Sequence, residues 1–288
     1  MEKILLLTDS ACDIPLDVAR DLGIWVMPIP IEVDGAPHHD GDFTLDEFYD
    51  ILERCKKIPT TSHINYHQFL QQYLQADEQG YTHLLHVTIN AQGSNMIQAA
   101  NHAKELFVQQ RPQSQMHIDI IDSGTYSVGY GFPLTEAARM LQKGVGYAAV
   151  RDYLLDWFGS LEIYFSVYSL DFVKKSGRVS CTAAFVGDIL GLRPIIRIMD
   201  GRVEVVDKVR GDAKVVPALA GWAQKQMCER SPYATLCARY FDRRAQLTGA
   251  MQKALGYPPV GEYRAGACIA INAGPQIIGV MVKGHRRR

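Results

Sequence analysis

Apolar and polar positions follow a repeating order along the first half of the chain: a short apolar run, a polar loop, then a stretch with helical spacing. Residues 4–7 are a continuous apolar run that ends in Thr8, Asp9 and Ser10. Continuous apolarity over so few residues predicts a parallel strand buried on both faces. Asp13 as N-cap and Pro15 in the first turn predict the helix that follows. Residues 24–33 read as extended, and Pro28 and Pro30 put that strand at a sheet margin. Asp34-Gly35 marks a turn, and Thr44 with Glu47 forms a capping-box pattern that opens a helix through Leu52. Further on, helices are predicted near 66–79 and 96–109, and strands at 84–89 and 118–121. Gly129 and Gly131 are read as a turn into a helix over 134–143. Strand, polar loop and helix thus recur, which predicts an open parallel α/β/α sheet. In such sheets the polar loops lie at the carboxyl ends of the strands, where ligands bind.

The pattern changes after Gly159. Strands are predicted at 162–170, 194–199, 203–206, 234–240 and 277–282, with Asp200-Gly201 as a two-residue hairpin turn. Helices are predicted over 182–190, 212–230 and 243–255. Hairpins mixed with helices predict an α+β domain with a largely antiparallel sheet. The fold class expected is therefore α/β, with an N-terminal domain over 1–159 and a C-terminal domain over 160–288.

Two hydroxyl-bearing loops stand out. Thr60, Thr61 and Ser62 precede one helical run, while Ser94 and Asn95 follow an apolar strand and open another. A helix start leaves N–H groups unpaired and carries partial positive charge, so Ser and Thr there can hold an anion without a charged side chain. The same residues are also ordinary helix caps. Their convergence on one sheet edge favours a polar spot that grips the head of a small acidic ligand.

Composition narrows the partners. The 288 residues are 47% hydrophobic and 21% charged, with a net charge of -1, which gives no general attraction to nucleic acid or anionic membrane. No segment approaches the ~20 apolar residues of a membrane span, so stable membrane insertion is not expected. The cysteines form no CxxC pair, and the N-terminal apolar run is too short for a signal peptide; reduced thiols and a cytoplasmic location are expected. No P-loop or GxGxxG motif occurs, and no cofactor is expected. His38-His39-Asp40 is read as a polar loop rather than a metal site. Ser94 and Ser123 sit at strand-to-helix turns, which leaves a serine hydrolase of acyl esters or acyl phosphates as the alternative, but neither serine has a GxSxG elbow. Lys174, Lys175, Arg178, Lys208 and Arg210 surround glycine turns, either as a solvated face or as a docking surface for an acidic partner.

Several segments resemble the DegV family: TDSACDIP near the N-terminus, TSHINYHQF, IDSGTYSVGYGFPLTEAARM, SLDFVKKSGRVS and LGLRPIIRIMDGRVEVVDKVRG. Their order and spacing span nearly the whole chain. The resemblance implies a non-catalytic protein that binds a long-chain fatty acid, palmitate- or oleate-like, between two domains. Thr61 or Ser62, with Ser94, match the positions that hydrogen-bond the carboxylate. Arg178 and Arg210 match positions that face the catalytic subunit of a fatty acid kinase. Two departures are visible: Ser94-Asn95-Met96 where the family often has Ser-Gly-Thr, and Asn272 where it often has histidine before Gly-Pro. Asn272 can hydrogen-bond a carboxylate but cannot carry charge.

Overall fold

The computed structural model describes residues 2–178 and 191–285. The helix expected over 182–190 and the basic tail at 286–288 lie outside them. The strands are β1 (Ile4–Asp9), β2 (Ile24–Met27), β3 (Pro30–Val33), β4 (Ala36–His39), β5 (Thr60–Thr61), β6 (His83–Thr88), β7 (His117–Asp122), β8 (Leu161–Val167), β9 (Leu192–Met199), β10 (Arg202–Arg210), β11 (Tyr233–Cys237), β12 (Gly261–Arg264) and β13 (Ile277–Lys283). The helices are α1 (Leu16–Leu22), α2 (Leu45–Arg54), α3 (Tyr66–Glu78), α4 (Met96–Gln110), α5 (Val128–Gln142), α6 (Tyr147–Phe158), α7 (Asp171–Ser176), α8 (Val215–Gln226), α9 (Phe241–Leu255) and α10 (Ala267–Ala273).

The first sheet has the order β2-β1-β6-β7, and every pairing in it is parallel. The apolar runs behave as expected: Leu5, Leu6, Leu7, Leu84, Leu85 and Val87 are all buried, because helices cover both faces. A second sheet runs β10-β9-β8-β13-β11-β12, antiparallel except for its last pair. Here the side chains alternate. Ile163, Phe165 and Val167 of β8 point towards the first half of the chain, while Tyr164 points the other way and packs with residues of α8 and α9. The fold class is thus mixed α/β, as the sequence pattern indicated.

Three local expectations change. Residues 24–33 are two strands in different sheets, not one. Beyond Met27 the chain leaves the parallel sheet, and Pro30–Val33 joins a small antiparallel sheet ordered β4-β3-β5. Asp13 is not the N-cap of the helix that follows. It adopts φ 56, and its carboxylate accepts hydrogen bonds from the Ser127 hydroxyl and the Gly266 N–H; Pro15 is the N-cap of α1. Gly129 and Gly131 are not a turn but lie inside α5. A Cβ on Gly131 would sit 2.1 Å from the Cys12 carbonyl oxygen, and one on Gly129 would sit 2.8 Å from Ile163. The glycines let α5 press against the loop after β1 on one side and the second sheet on the other.

The Thr44–Glu47 capping box and both Asp-Gly turns form as expected. Asp200 (φ 49) and Gly201 (φ 76) make a tight tip that reaches the first sheet's loops. The Asn90 side-chain amide donates to the Gly201 carbonyl at 2.8 Å, and the Gly201 N–H donates to the Gly124 carbonyl at 3.0 Å. The hairpin therefore holds the second sheet against the loop that leads into Ser94.

Candidate functional site: an apolar cavity with a hydroxyl-lined end

Between the two sheets lies a cavity of about 570 Å³, a size that suits a small-molecule ligand. Its apolar wall comes from the inward positions of the second sheet: Ile163 and Phe165 on β8, Ile198 on β9, Val203 on β10, Leu236 on β11 and Ile277 on β13. Ile29, Ile89 and Met96 close the opposite side.

The polar lining gathers the residues singled out from the sequence. Thr61, Ser62, Ser94, Asn95 and Asn272 all line the cavity, as does Arg178. The route to Thr61 differs from the one expected. Thr61 pairs with Ile31 at the edge of the small antiparallel sheet, and the Ser62 N–H donates to the Pro30 carbonyl at 3.0 Å. The helix start belongs to Asn65, whose capping box with Gln68 leaves Thr61 and Ser62 free of that duty. The second loop is closer to expectation. Asn95 precedes the 15-residue helix α4 without capping it through its side chain, and the Ser94 hydroxyl accepts a hydrogen bond of 3.4 Å from the Met96 N–H. The positive end of α4 thus faces the same space as Ser94. Arg210 is not brought in: it is exposed at the end of β10 remote from the Asp200-Gly201 hairpin and does not line the cavity.

Asn272 lies on α10, a helix that the sequence reading missed. Two part-buried carboxylates hold the start of that helix. Asp13 accepts from the Gly266 N–H at 2.9 Å, and Asp40 accepts from the Ala267 and Cys268 N–H groups. Gly266 is required for this approach, since a Cβ there would meet the Asp13 carboxylate at 2.5 Å. A third carboxylate, Asp9, accepts from Tyr130 at 2.6 Å, Ile89 N–H at 2.9 Å and Ala11 N–H at 3.2 Å. Burial raises all three acids above the ordinary range, Asp9 to about 6; the hydrogen bonds offset part of that shift. Their partners are N–H and hydroxyl groups, and their position under α10 and α5 makes them structural ties.

The hydroxyls of Ser94 and Ser123 are bonded to backbone groups of Met96 and Thr125, and among the described residues neither is bonded to a histidine. His38 and His39 approach Asp42 at 3.9 Å, while Asp40 turns inward to Ser10, so the three do not converge. Among the described residues no cluster could hold a metal ion, and no helix is long and apolar enough to cross a membrane.

A family model described as "uncharacterised protein, DegV family" matches residues 3–284. The chain belongs to the DegV family. A DegV domain-containing protein of Caldanaerobacter subterraneus is 31% identical over 217 residues, covering 75% of each chain. One from Deinococcus radiodurans is 25% identical over 98% of each. Among solved structures, a DegV family protein of Thermus thermophilus, described as binding fatty acid, superposes with a TM-score of 0.82 at 28% identity, over 98% of this chain and 100% of that one. The fatty acid binding DegV family protein of Streptococcus agalactiae matches with a TM-score of 0.87 at 24% identity, over 99% and 100% of the two chains.

Other lining residues of this DegV-family chain went unnoticed in its sequence: His63, Gln92, Tyr126, Ser127, Ser176, and Cys268 with Ile269 on α10. The small-residue run before Gly274-Pro275 was the signal for α10. The acids that anchor it lie at Asp13 and Asp40, far away in sequence, and no local pattern connects them.

Proposed function

We propose that this protein is a cytoplasmic, non-catalytic carrier that binds one long-chain fatty acid. The carboxylate sits against Thr61 or Ser62, Ser94 and Asn95, and the tail runs along the second-sheet wall between two domains that meet near Gly159. The observation that carries this reading is the mixed lining of the cavity: the hydroxyls of Thr61, Ser62 and Ser94 near the start of α4, together with aliphatic and aromatic side chains from the second sheet. The relatives described as fatty acid binding support it. About fifteen methylenes at ~0.8 kcal/mol each offer roughly 12 kcal/mol before association costs, so the tail supplies most of the affinity. Each hydrogen bond to the carboxylate adds about 1.5–3 kcal/mol and sets its orientation. A hydroxyl cluster can hold either a carboxylate or its acyl phosphate with little rearrangement. This suits a protein that presents the acid to the catalytic subunit of a fatty acid kinase.

Displacement of a fluorescent fatty acid by palmitate and oleate tests the binding step. Tight one-to-one displacement is expected, and failure of both acids to displace the probe would refute it. Incubation of the loaded protein with a fatty acid kinase catalytic subunit and ATP tests the second step, with acyl phosphate as the product to be detected.

A further inference from the structure

Five cysteines fall within the described residues, and four of them are kept as thiols by their surroundings. Cys12, Cys237 and Cys268 are buried, and burial pushes their thiols up, those of Cys12 and Cys268 well above the ordinary range. Cys55 is half-buried at the end of α2; burial raises its thiol as well, and its Sγ donates to the Leu52 carbonyl at 3.2 Å. Cys228 differs. It is half-buried just past α8, and its Sγ lies 3.4 Å from Nδ1 of the exposed His285.

The backbone fixes this pair from both sides. Met227 bridges to Gly284, and the Cys228 N–H donates to the Lys283 carbonyl at 3.0 Å. The Ser231 hydroxyl donates to the same carbonyl at 2.8 Å, while its N–H donates to the Cys228 carbonyl at 3.1 Å. The Gly284 N–H donates to the Ser160 carbonyl at 2.7 Å, and a Cβ at Gly284 would meet the Gln226 carbonyl oxygen at 3.1 Å. The turn after α8 and the end of β13 are thus pinned together, with the thiol and the imidazole facing each other across the junction. A thiol is a weak nucleophile near neutral pH, but an imidazole within hydrogen-bond reach can take its proton and leave a thiolate beside an imidazolium. Cys228 has that base and solvent access together.

We propose that Cys228 and His285 form a thiol–imidazole pair at which the protein takes up low-molecular-weight disulfides as a reversible mixed disulfide. Nδ1 of His285 accepts the thiol proton. The Cys228 sulfur attacks one sulfur of the disulfide, a new S–S bond forms and the old one breaks. The other half leaves as a thiol that carries the proton from the imidazolium. Cys228 is oxidised, half of the incoming disulfide is reduced, and a free thiol reverses the step. The pair stands apart from the lipid cavity. Ile277 at the start of β13 lines the cavity, whereas Lys283, which meets Cys228, lies about 20 Å further along the same strand. The proposal is therefore independent of what the cavity holds.

The test exposes the full-length protein to oxidised glutathione over a range of pH and follows every cysteine, Cys181 included, by peptide mapping. Cys228 should form the mixed disulfide at least about tenfold faster than any other cysteine of the folded chain. In His285→Phe the Cys228 rate near neutral pH should fall at least about fivefold, and the pH–rate profile should move to higher pH. His285→Gln, which keeps a polar side chain but no base, should behave as His285→Phe does. Iodoacetamide, which alkylates thiolates, should report the same order of reactivity and the same shift. A merely structural role for His285 would leave the pH–rate profile in place. Faster reaction at another cysteine, or a Cys228 profile that is the same with and without the imidazole, would overturn the proposal.

Discussion

Gly279 lies opposite Phe165 on one side and Leu236 on the other, both of which line the cavity. Residues directly opposite in adjacent strands share a face, so a side chain at 279 would point into the cavity wall. Gly279→Ala places a Cβ 2.9 Å from Phe165 Cβ, 3.0 Å from the Tyr164 carbonyl oxygen and 3.2 Å from Leu236 Cδ2. Carbon atoms rest about 3.5–4.0 Å apart, so Phe165 must yield by roughly half an ångström or more and Leu236 by a few tenths. The Tyr164 oxygen belongs to the paired strand and cannot move without disturbing the ladder. Overpacking of this kind costs about 1–3 kcal/mol, which in a chain of this size lowers the melting temperature by several degrees. The displaced side chains can relieve the strain only by moving into the cavity, so the longest tails should suffer most. Thermal unfolding together with a binding series from myristate to stearate checks both parts. The reasoning is refuted if Gly279→Ala melts with the parent and keeps its chain-length profile.

Ser94→Ala should weaken oleate binding about tenfold or somewhat more, the worth of one hydrogen bond to a charged group, with no change in melting temperature; the same displacement assay reads it. Asp13→Ala removes the acceptor that holds Gly266 N–H and the Ser127 hydroxyl, and should destabilise the protein by about 2–4 kcal/mol while loosening α10, read by thermal unfolding and hydrogen exchange at Gly266. Asp9 has its folded pKa raised to about 6 from 3.8 by burial, so the stability it contributes is full below 3.8 and is lost as pH rises through 6. The stability of the parent relative to Asp9→Asn should therefore fall as pH rises, the parent losing up to about 3 kcal/mol relative to the variant between pH 4 and 7, read from melting temperatures of both across that range. Parallel pH profiles would contradict this.

The sequence was most legible where a signal is local. The apolar runs of β1, β6 and β7, the Thr44–Glu47 capping box and the Asp200-Gly201 turn each depend on neighbours a few residues apart, and each forms where expected. That the hydroxyls share one cavity was legible too, although the helix-start argument for Thr61 and Ser62 does not hold, because Asn65 caps the helix while Thr61 sits on a strand edge and Ser62 just after it. Long-range ties were not legible. Asp13 resembles an N-cap, yet it serves Gly266 from the other end of the chain. Gly129 and Gly131 resemble a turn, yet they are close-packing positions in a helix buried between two sheets. Arg178 and Arg210 were grouped by charge and neighbouring glycines; only Arg178 lines the cavity, because three carbonyl-type oxygens from separate segments hold its guanidinium there.

Native mass spectrometry of the purified protein, followed by denaturing extraction and identification of what is released, tests the central claim most directly. The account predicts a one-to-one adduct whose mass and fragments are those of a single long-chain fatty acid, retained by the folded protein and lost on unfolding. A protein that carries no lipid and still takes up neither palmitate nor oleate when they are supplied would contradict it.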